Sequence, residues 1–300
     1  MKHMKITLTG SLGNISKPLA EMLIRTGHEV TIISSDAGKK TTIEALGAKA
    51  AIGSVTDVTF LTNSFKGADI VYTMVPYNFG ATNYRQYVNE VGNNYAKAIK
   101  AAGVKHVVNL SSIGAHLENG TGPIAGLHDV EQILNQLDNV AVKHLRPAIF
   151  YNNFFFDIAL IKSQGIMGNN YGKETRLLMV HPKDIAEVAT YELQNSFTGK
   201  GYRYIVSEER NIADIVKTLG SAIGKPELPW VQFTNEQTLA GMTASGIMPP
   251  TVANLYVELG TAIDKGILWE DYDRSKSEIT GKIKLIDFAK EAFAPVYSSQ

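Results

Sequence analysis

The sequence predicts an α/β protein: a doubly wound parallel sheet with a smaller, mainly helical C-terminal lobe. Three observations carry this. Short Val/Ile-rich runs alternate with longer segments of helical periodicity through the first half of the chain, the pattern of βαβ units. Each strand–helix pair takes roughly 25–30 residues, enough for the crossover that joins parallel strands. The strands are apolar almost throughout, as strands covered on both faces are.

Residues 5–9 read as the first strand. Residues 14–26 read as a helix with Ile15, Leu19, Met22 and Leu23 on one face, closed by Gly27. Glu29–Ser34 is the second strand, 41–46 a short helix closed by Gly47, and Lys49–Ile52 the third strand. Val58–Phe65 is helical. Residues 68–74 form a fourth strand ended by Pro76, Tyr84–Ala102 a long helix ended by Gly103, and His106–Leu110 a fifth strand. A helix over 129–137 and a strand over 141–145, stopped by Arg146-Pro147, complete a first α/β domain over 1–150. The remainder, 151–300, is expected to interleave, completing the sheet and building the small lobe. Its helices are expected at 182–193, 211–224, 252–265 and 283–292, with a strand at 202–206 and a Pro/Gly/Thr-rich stretch at 226–250.

Composition narrows the function classes. Lys plus Arg number 29, as do Asp plus Glu, so no net field draws the chain to nucleic acid or an acidic membrane. No basic helix or DNA-reading motif stands out. The absence of cysteine excludes disulfides, a thiol nucleophile and thiolate metal sites, and fits an expected cytoplasmic location. The first apolar run covers only Ile6 to Leu8, too short for a secretory signal core. No stretch approaches the roughly 18 apolar residues of a membrane span.

The sharpest local signal is Thr9-Gly10-Ser11-Leu12-Gly13-Asn14-Ile15-Ser16. It follows a strand and opens a helix, the context in which a glycine turn cradles a pyrophosphate. Gly10 permits the tight turn and Gly13 the close approach of backbone to phosphate. The helix start offers unpaired N–H groups and a positive dipole end, and Ser16 is small enough for tight helix–strand packing. The expected cofactor contacts are Gly10, Ser11, Leu12, Gly13, Asn14 and Ile15. The bland alternative is a tight turn and nothing more. The ribose 2′ position is read after the second strand. There Ser34, Ser35 and Lys39 favour the phosphate of NADP over NAD, with Asp36 open to being a turn or helix cap.

These residues resemble the NmrA-like group of atypical and extended short-chain dehydrogenases. The resemblance runs over Gly10-x-x-Gly13-x-x-Ser16, Gly67-Ala68-Asp69, the run from Gly103 to Ser112, the run from Leu145 to Phe154, and His181-Pro182-Lys183-Asp184-Ile185-Ala186. It implies a Rossmann fold and an NAD(P)-dependent oxidoreductase acting on a small molecule such as a quinone or carbonyl. One departure matters. The superfamily's Tyr-x-x-x-Lys pair is missing from the corresponding stretch, Gly122 to Glu131. Without it the usual proton-transfer tyrosine is not available. That leaves three readings: a reductase of acceptors whose reduced oxygen is a stabilised anion, a non-catalytic NADP(H) sensor acting through a protein partner, or a sugar-nucleotide epimerase, which the missing pair disfavours.

Strand C-terminal ends line the crevice of such sheets. That adds Val75, Pro76 and Ser111 as cofactor contacts, and Ser112, His128 and Tyr77 as candidates at the reacting end. Tyr77 is equally suited to covering an apolar loop, Ser112 to capping a turn, and His128 to a structural bond at a helix start. Glu131, three residues on, is expected to share a helix face with His128. Two ligands at that spacing do not make a metal site. Tyr151 is the residue of its loop expected to reach the cleft, with Asn152 and Asn153 as further polar reach and Phe154, Phe155 and Phe156 expected in the core. His181 is expected to be structural. Trp230 and Trp269 are candidates for a planar pocket, with core packing the commoner fate.

Overall fold

In a computed structural model of the protein, residues 3–244, 246 and 248–299 are described. Met1 and Lys2, read as the approach to the first strand, and Ser245 and Ile247 of the Pro/Gly/Thr-rich stretch lie outside the described residues. The elements run β1 (Lys5–Leu8), α1 (Ser16–Arg25), β2 (Glu29–Ser34), α2 (Lys40–Ala45), β3 (Lys49–Ile52), α3 (Val58–Phe65), β4 (Ile70–Thr73), α4 (Tyr84–Ala102), β5 (His106–Leu110), α5 (Ile124–Asn135) and β6 (Ala141–Pro147). Then come β7 (Ile149–Phe150), α6 (Ile158–Gln164), β8 (Met167–Asn169), β9 (Arg176–Val180), α7 (Pro182–Gln194), β10 (Lys200–Ile205), β11 (Glu208–Asn211) and α8 (Ile212–Ala222). The chain closes with β12 (Trp230–Gln232), α9 (Asn235–Ala244), α10 (Pro250–Asp264), α11 (Glu270–Ser275), α12 (Leu285–Phe288) and α13 (Ala294–Ser299), a π-helical turn at Ala289–Phe293 joining the last two.

The main sheet has seven strands in the order β10-β6-β5-β4-β1-β2-β3. The pairs from β6 through to β3 are parallel. Strand order reverses between β1 and β4, which is where open α/β sheets bind ligands. The strands are buried as their composition demands: Ile6, Leu8, Val30, Ile32, Val71, Val107, Val108 and Val142 are all essentially inaccessible.

The chain divides into two compact units, each assembled from three segments. The first holds Met1–Ser112, Gly126–Arg146 and Ile185–Arg203; the second holds Ile113–Ala125, Pro147–Asp184 and Tyr204–Gln300.

In the first unit α4 and α5 approach through two glycines. A Cβ on Gly92 would lie 2.9 Å from Val130 Cγ2, and one on Gly126 would lie 3.0 Å from Val88. This explains a difference from the sequence reading. α5 begins at Ile124 rather than at 129, because Gly126 is a packing residue inside the helix and not a loop residue before it.

The second unit carries a three-stranded sheet, β11-β9-β7, and a two-stranded one, β12-β8. Neither is evident in the sequence, since β7, β8 and β12 are two or three residues long, too short to show a period. Asp184 is buried here and organises the late chain. Its Oδ2 accepts from Ser207 Oγ at 2.6 Å and from the backbone N–H of Lys282 and Ile283, both at 3.1 Å. Glu208 adds a bond from Leu285 N at 2.7 Å. Among the described residues no helix is long and apolar enough to cross a membrane.

Candidate functional site

The site is built on the C-terminal ends of β1, β2, β4 and β5, all in the first unit. After β1 the chain turns through Gly10 at φ +92° and Ser11 at φ +54°. Gly10 is required twice over, by that backbone conformation and by space. A Cβ there would lie 2.5 Å from Ser16 Oγ and 3.0 Å from Met74 Cγ. Ser16 is buried, its hydroxyl donating to Thr9 O at 3.1 Å, so strand and helix close on one another across the turn. The helix that follows has Ile15 at its N-cap position with no side-chain cap. Its first N–H groups and its dipole are therefore presented with no competing side chain, and Gly13 and Asn14 beside them are exposed.

Ser11 also ties this turn to the next strand. Its Oγ donates to Ser34 Oγ at 2.9 Å, and its N–H donates to Ile33 O at 3.1 Å. Ser34 in turn accepts from Asp36 N at 3.2 Å. Asp36 is a turn cap: Oδ1 accepts from Gly38 N at 2.8 Å, closing the short 3₁₀ turn Ala37–Lys39. Ser35 is exposed and Lys39 half-exposed.

The turn after β4 is held rigidly. Met74 N donates to Thr9 Oγ1 at 2.8 Å, Met74 O accepts from Tyr95 OH at 2.6 Å, and Pro76 O accepts from Tyr87 OH at 3.0 Å. Burial pushes the Tyr95 phenol well above its ordinary range, so it stays a donor. Val75 and Pro76 are half-buried on this fixed backbone. Tyr77 is 65% exposed and stacks on Phe79, with centroids 5.7 Å apart.

At the end of β5 the two serines part. Ser111 is buried and its hydroxyl donates to Glu131 Oε1 at 2.6 Å. The same carboxylate takes Arg146 Nε at 3.0 Å on Oε1 and Arg146 Nη2 at 2.6 Å on Oε2. The Arg146 guanidinium also lies 4.1 Å over the Tyr202 ring. Glu131 is thus committed to a buried ion pair. Ser112 is half-buried, and so is His128, five residues into α5 rather than at its start. Next to it, Asp129 receives a bidentate Arg85 at 2.6 and 2.7 Å, and that guanidinium holds its carboxyl below the usual range.

Under these turns runs a polar chain that sequence reading missed. Thr73 Oγ1 donates to Asn109 Oδ1 at 2.9 Å; Asn109 Nδ2 meets His144 Nδ1 at 3.2 Å; His144 Nε2 meets Asn135 Oδ1 at 3.0 Å. With the asparagine amide donating to Nδ1, the imidazole is neutral and its proton sits on Nε2. Burial pushes its pKa down to about 4. The available signal was Asn109, His144 and Arg146 among the polar letters of β5 and β6, which also include His106 and Lys143.

Three further expectations concern the second unit and need correction or refinement. Tyr151 does not reach a cleft: it is fully buried, its hydroxyl donating to Ile283 O at 3.2 Å. Phe156 is not core but 82% exposed, whereas Phe154 is buried and Phe155 packs on Phe288 and Phe293. Trp269 is buried, while Trp230 is half-exposed and stacks on Tyr171. His181 accepts from Lys183 N through Nδ1 at 3.1 Å and packs edge-on to Tyr151, a structural part.

Residues 10–151 match the NAD(P)H-binding family model. No curated protein matches the sequence. Solved structures share the fold over nearly the whole chain. The NADPH-dependent quinone oxidoreductase QOR2 of Escherichia coli, complexed with NADPH, superposes with a TM-score of 0.81 at 19% identity, covering 96% of this chain and 99% of that one. The triphenylmethane reductase of Citrobacter sp., complexed with NADP(H), gives 0.80 at 20% identity over 96% and 99%. NmrA, a negative transcriptional regulator in complex with NADP, gives 0.77 at 14% identity over 100% and 98%.

Proposed function

We propose, from the premise that residues 10–151 are an NAD(P)H-binding domain, that the protein is an NmrA-like oxidoreductase using NADP(H) to reduce a small quinone or carbonyl. The observation that carries this is the turn after β1. Gly10 lies at positive φ with no room for a Cβ, and it leads into a helix start that no side chain caps. Such a cradle fits a dinucleotide pyrophosphate.

In this reading the backbone from Gly10 to Ile15 receives the pyrophosphate. Ser35 and Lys39 receive the 2′-phosphate, while Ser34, expected there from the sequence, is buried with its hydroxyl bonded to Ser11 and Asp36 and shapes the turn instead; Asp36 is engaged as a turn cap. Val75 and Pro76 form a wall on a backbone fixed by three hydroxyl groups. The bound nicotinamide supplies the hydride. Ser112, His128 and Tyr77 orient the acceptor. Ser111 contributes through its backbone, because its hydroxyl belongs to Glu131. With no Tyr-x-x-x-Lys pair in the chain's α5 region, the acceptors best served are those whose reduced oxygen is a stabilised anion, and orientation and exclusion of water do most of the work. The activities for which QOR2 and triphenylmethane reductase are named support this class.

A second reading, a dinucleotide sensor, draws on the same missing pair and on the fold shared with the regulator NmrA. Steady-state NADPH oxidation with a panel of quinones and aldehydes separates the two. The oxidoreductase reading expects quinone-dependent oxidation well above the uncatalysed rate. Tight NADPH binding with no oxidation across the panel contradicts it and favours the sensor.

A further inference from the structure

The backbone after β4 is clamped and then released. Met74 N donates to Thr9 Oγ1 at 2.8 Å and Met74 O accepts from Tyr95 OH at 2.6 Å, so β1 and the buried side of α4 both grip this residue. Pro76 has no N–H, and its carbonyl is its one backbone handle. Tyr87 takes that handle, its hydroxyl donating to Pro76 O at 3.0 Å. Beyond it runs the loop 77–82, in which Tyr77, Asn78, Gly80 and Thr82 are exposed. Asn83 ends the loop by capping α4, its Oδ1 accepting from Gln86 N at 3.0 Å. Tyr87 therefore ties the chain at the point where fixed backbone gives way to exposed loop.

Tyr87 is placed for this bond more than for packing. The buried face of α4 runs through Tyr84, Val88, Val91 and Tyr95, whereas Tyr87 is half-buried. Its ring leans on Tyr84, with centroids 6.4 Å apart. Its own N–H donates to Asn83 O at 3.1 Å, so the phenol is carried on a capped, regular helix start. Burial, and next the charge of Glu90, push that phenol up, which keeps it a donor.

The strand order assigns this tether to one half of the cofactor. β4 and β2 flank β1 on opposite sides. With the pyrophosphate on the turn after β1 and the 2′-phosphate read after β2, the nicotinamide half extends over the end of β4. We infer that Tyr87 is a positioning residue for that half: by fixing the Pro76 carbonyl it holds Val75 and Pro76 where the nicotinamide ring is seated. It acts through the backbone and leaves the adenosine half alone. The inference rests on the reading of the Gly10–Ile15 turn as a dinucleotide site, and adds to it the residue that orders the reacting end.

The test compares two ligands on the full-length natural protein and on Tyr87→Phe. One is NADPH; the other is adenosine 2′,5′-bisphosphate, which lacks the nicotinamide half. Calorimetric titration gives both affinities, and the anisotropy of nicotinamide emission reports how firmly the bound ring is held. Tyr87→Phe should weaken NADPH binding about fivefold, the worth of one hydrogen bond, and lower the anisotropy of the bound ring. Its affinity for the bisphosphate should stay within about twofold of the natural protein's, with the urea midpoint held. Equal weakening of both ligands with a lowered midpoint makes Tyr87 a support of the fold and overturns the inference. Unchanged NADPH affinity and anisotropy overturn it too, and spare the dinucleotide reading. If neither ligand binds the natural protein, the dinucleotide reading falls and the inference falls with it.

Discussion

At the scale of single residues, the site depends on polar groups buried behind it. Glu131 and Arg146 are both nearly inaccessible and bonded twice to each other. Removing one partner strands the other, which costs about 3–5 kcal/mol. Glu131→Gln should therefore lower the urea midpoint strongly, and Arg146→Met added to it should recover part of the loss; a neutral single variant would contradict the network. His144 supplies a pH test. Its neutral form is held by Asn109 and Asn135, and its pKa is about 4 against an ordinary 6.5. Below about 6.5 the unfolded chain takes up a proton that the folded chain refuses until about 4. The stabilisation is thus complete above about 6.5 and falls by on the order of 3 kcal/mol as pH drops to about 4. Urea titrations across this window should show that slope in the natural protein and lose it in His144→Asn. Equal slopes would remove the histidine from the account. None of this was legible in the sequence beyond the presence of polar letters in apolar strands. The pairing of Glu131 with Arg146 is decided by β6 lying next to β5, and that is tertiary. Gly10 and Gly13, by contrast, carry their meaning locally, since a turn between strand and helix needs nothing distant to define it.

At the scale of elements, segments framed by punctuating residues were readable, and strands of two or three residues were not. Glu29–Ser34, Lys49–Ile52, Val58–Phe65, Tyr84–Ala102 and His106–Leu110 have the bounds their patterns predict. Each is framed by glycine, proline or a capping side chain, as Asn83 and Asp57 cap α4 and α3. α5 was misplaced because Gly126 looks like punctuation in one dimension and is a contact in three. Gly92 and Gly126 let α4 and α5 meet closely. Gly92→Ala gains up to about 1 kcal/mol of helix propensity but forces Val130, a stiff side chain, to move, at about 1–3 kcal/mol. The expected net effect is a destabilisation of about 1 kcal/mol by chemical denaturation. A more stable variant would show that the helices have slack there. Trp230 and Tyr171 belong to this scale too, since the three-residue pairing of β12 with β8 builds the ring stack.

At the scale of the whole molecule, the chain is threaded through both units. Residues 113–125 leave the first unit for the second, and 185–203 return to supply most of α7 and β10. The alternation of strands and helices announced the parallel sheet, but nothing local announces which late segment returns, because return is a property of the sheet's open edge at β6. The central claim is that the Gly10–Ile15 turn is a dinucleotide site. The most direct test is a fluorescence titration of NADPH and of NADH into the natural protein and Gly10→Ala. The account predicts saturable binding, tighter for NADPH, and its loss by at least about tenfold when a Cβ is forced against Ser16 at positive φ. Absence of binding by either nucleotide, or unchanged affinity in Gly10→Ala, would contradict it.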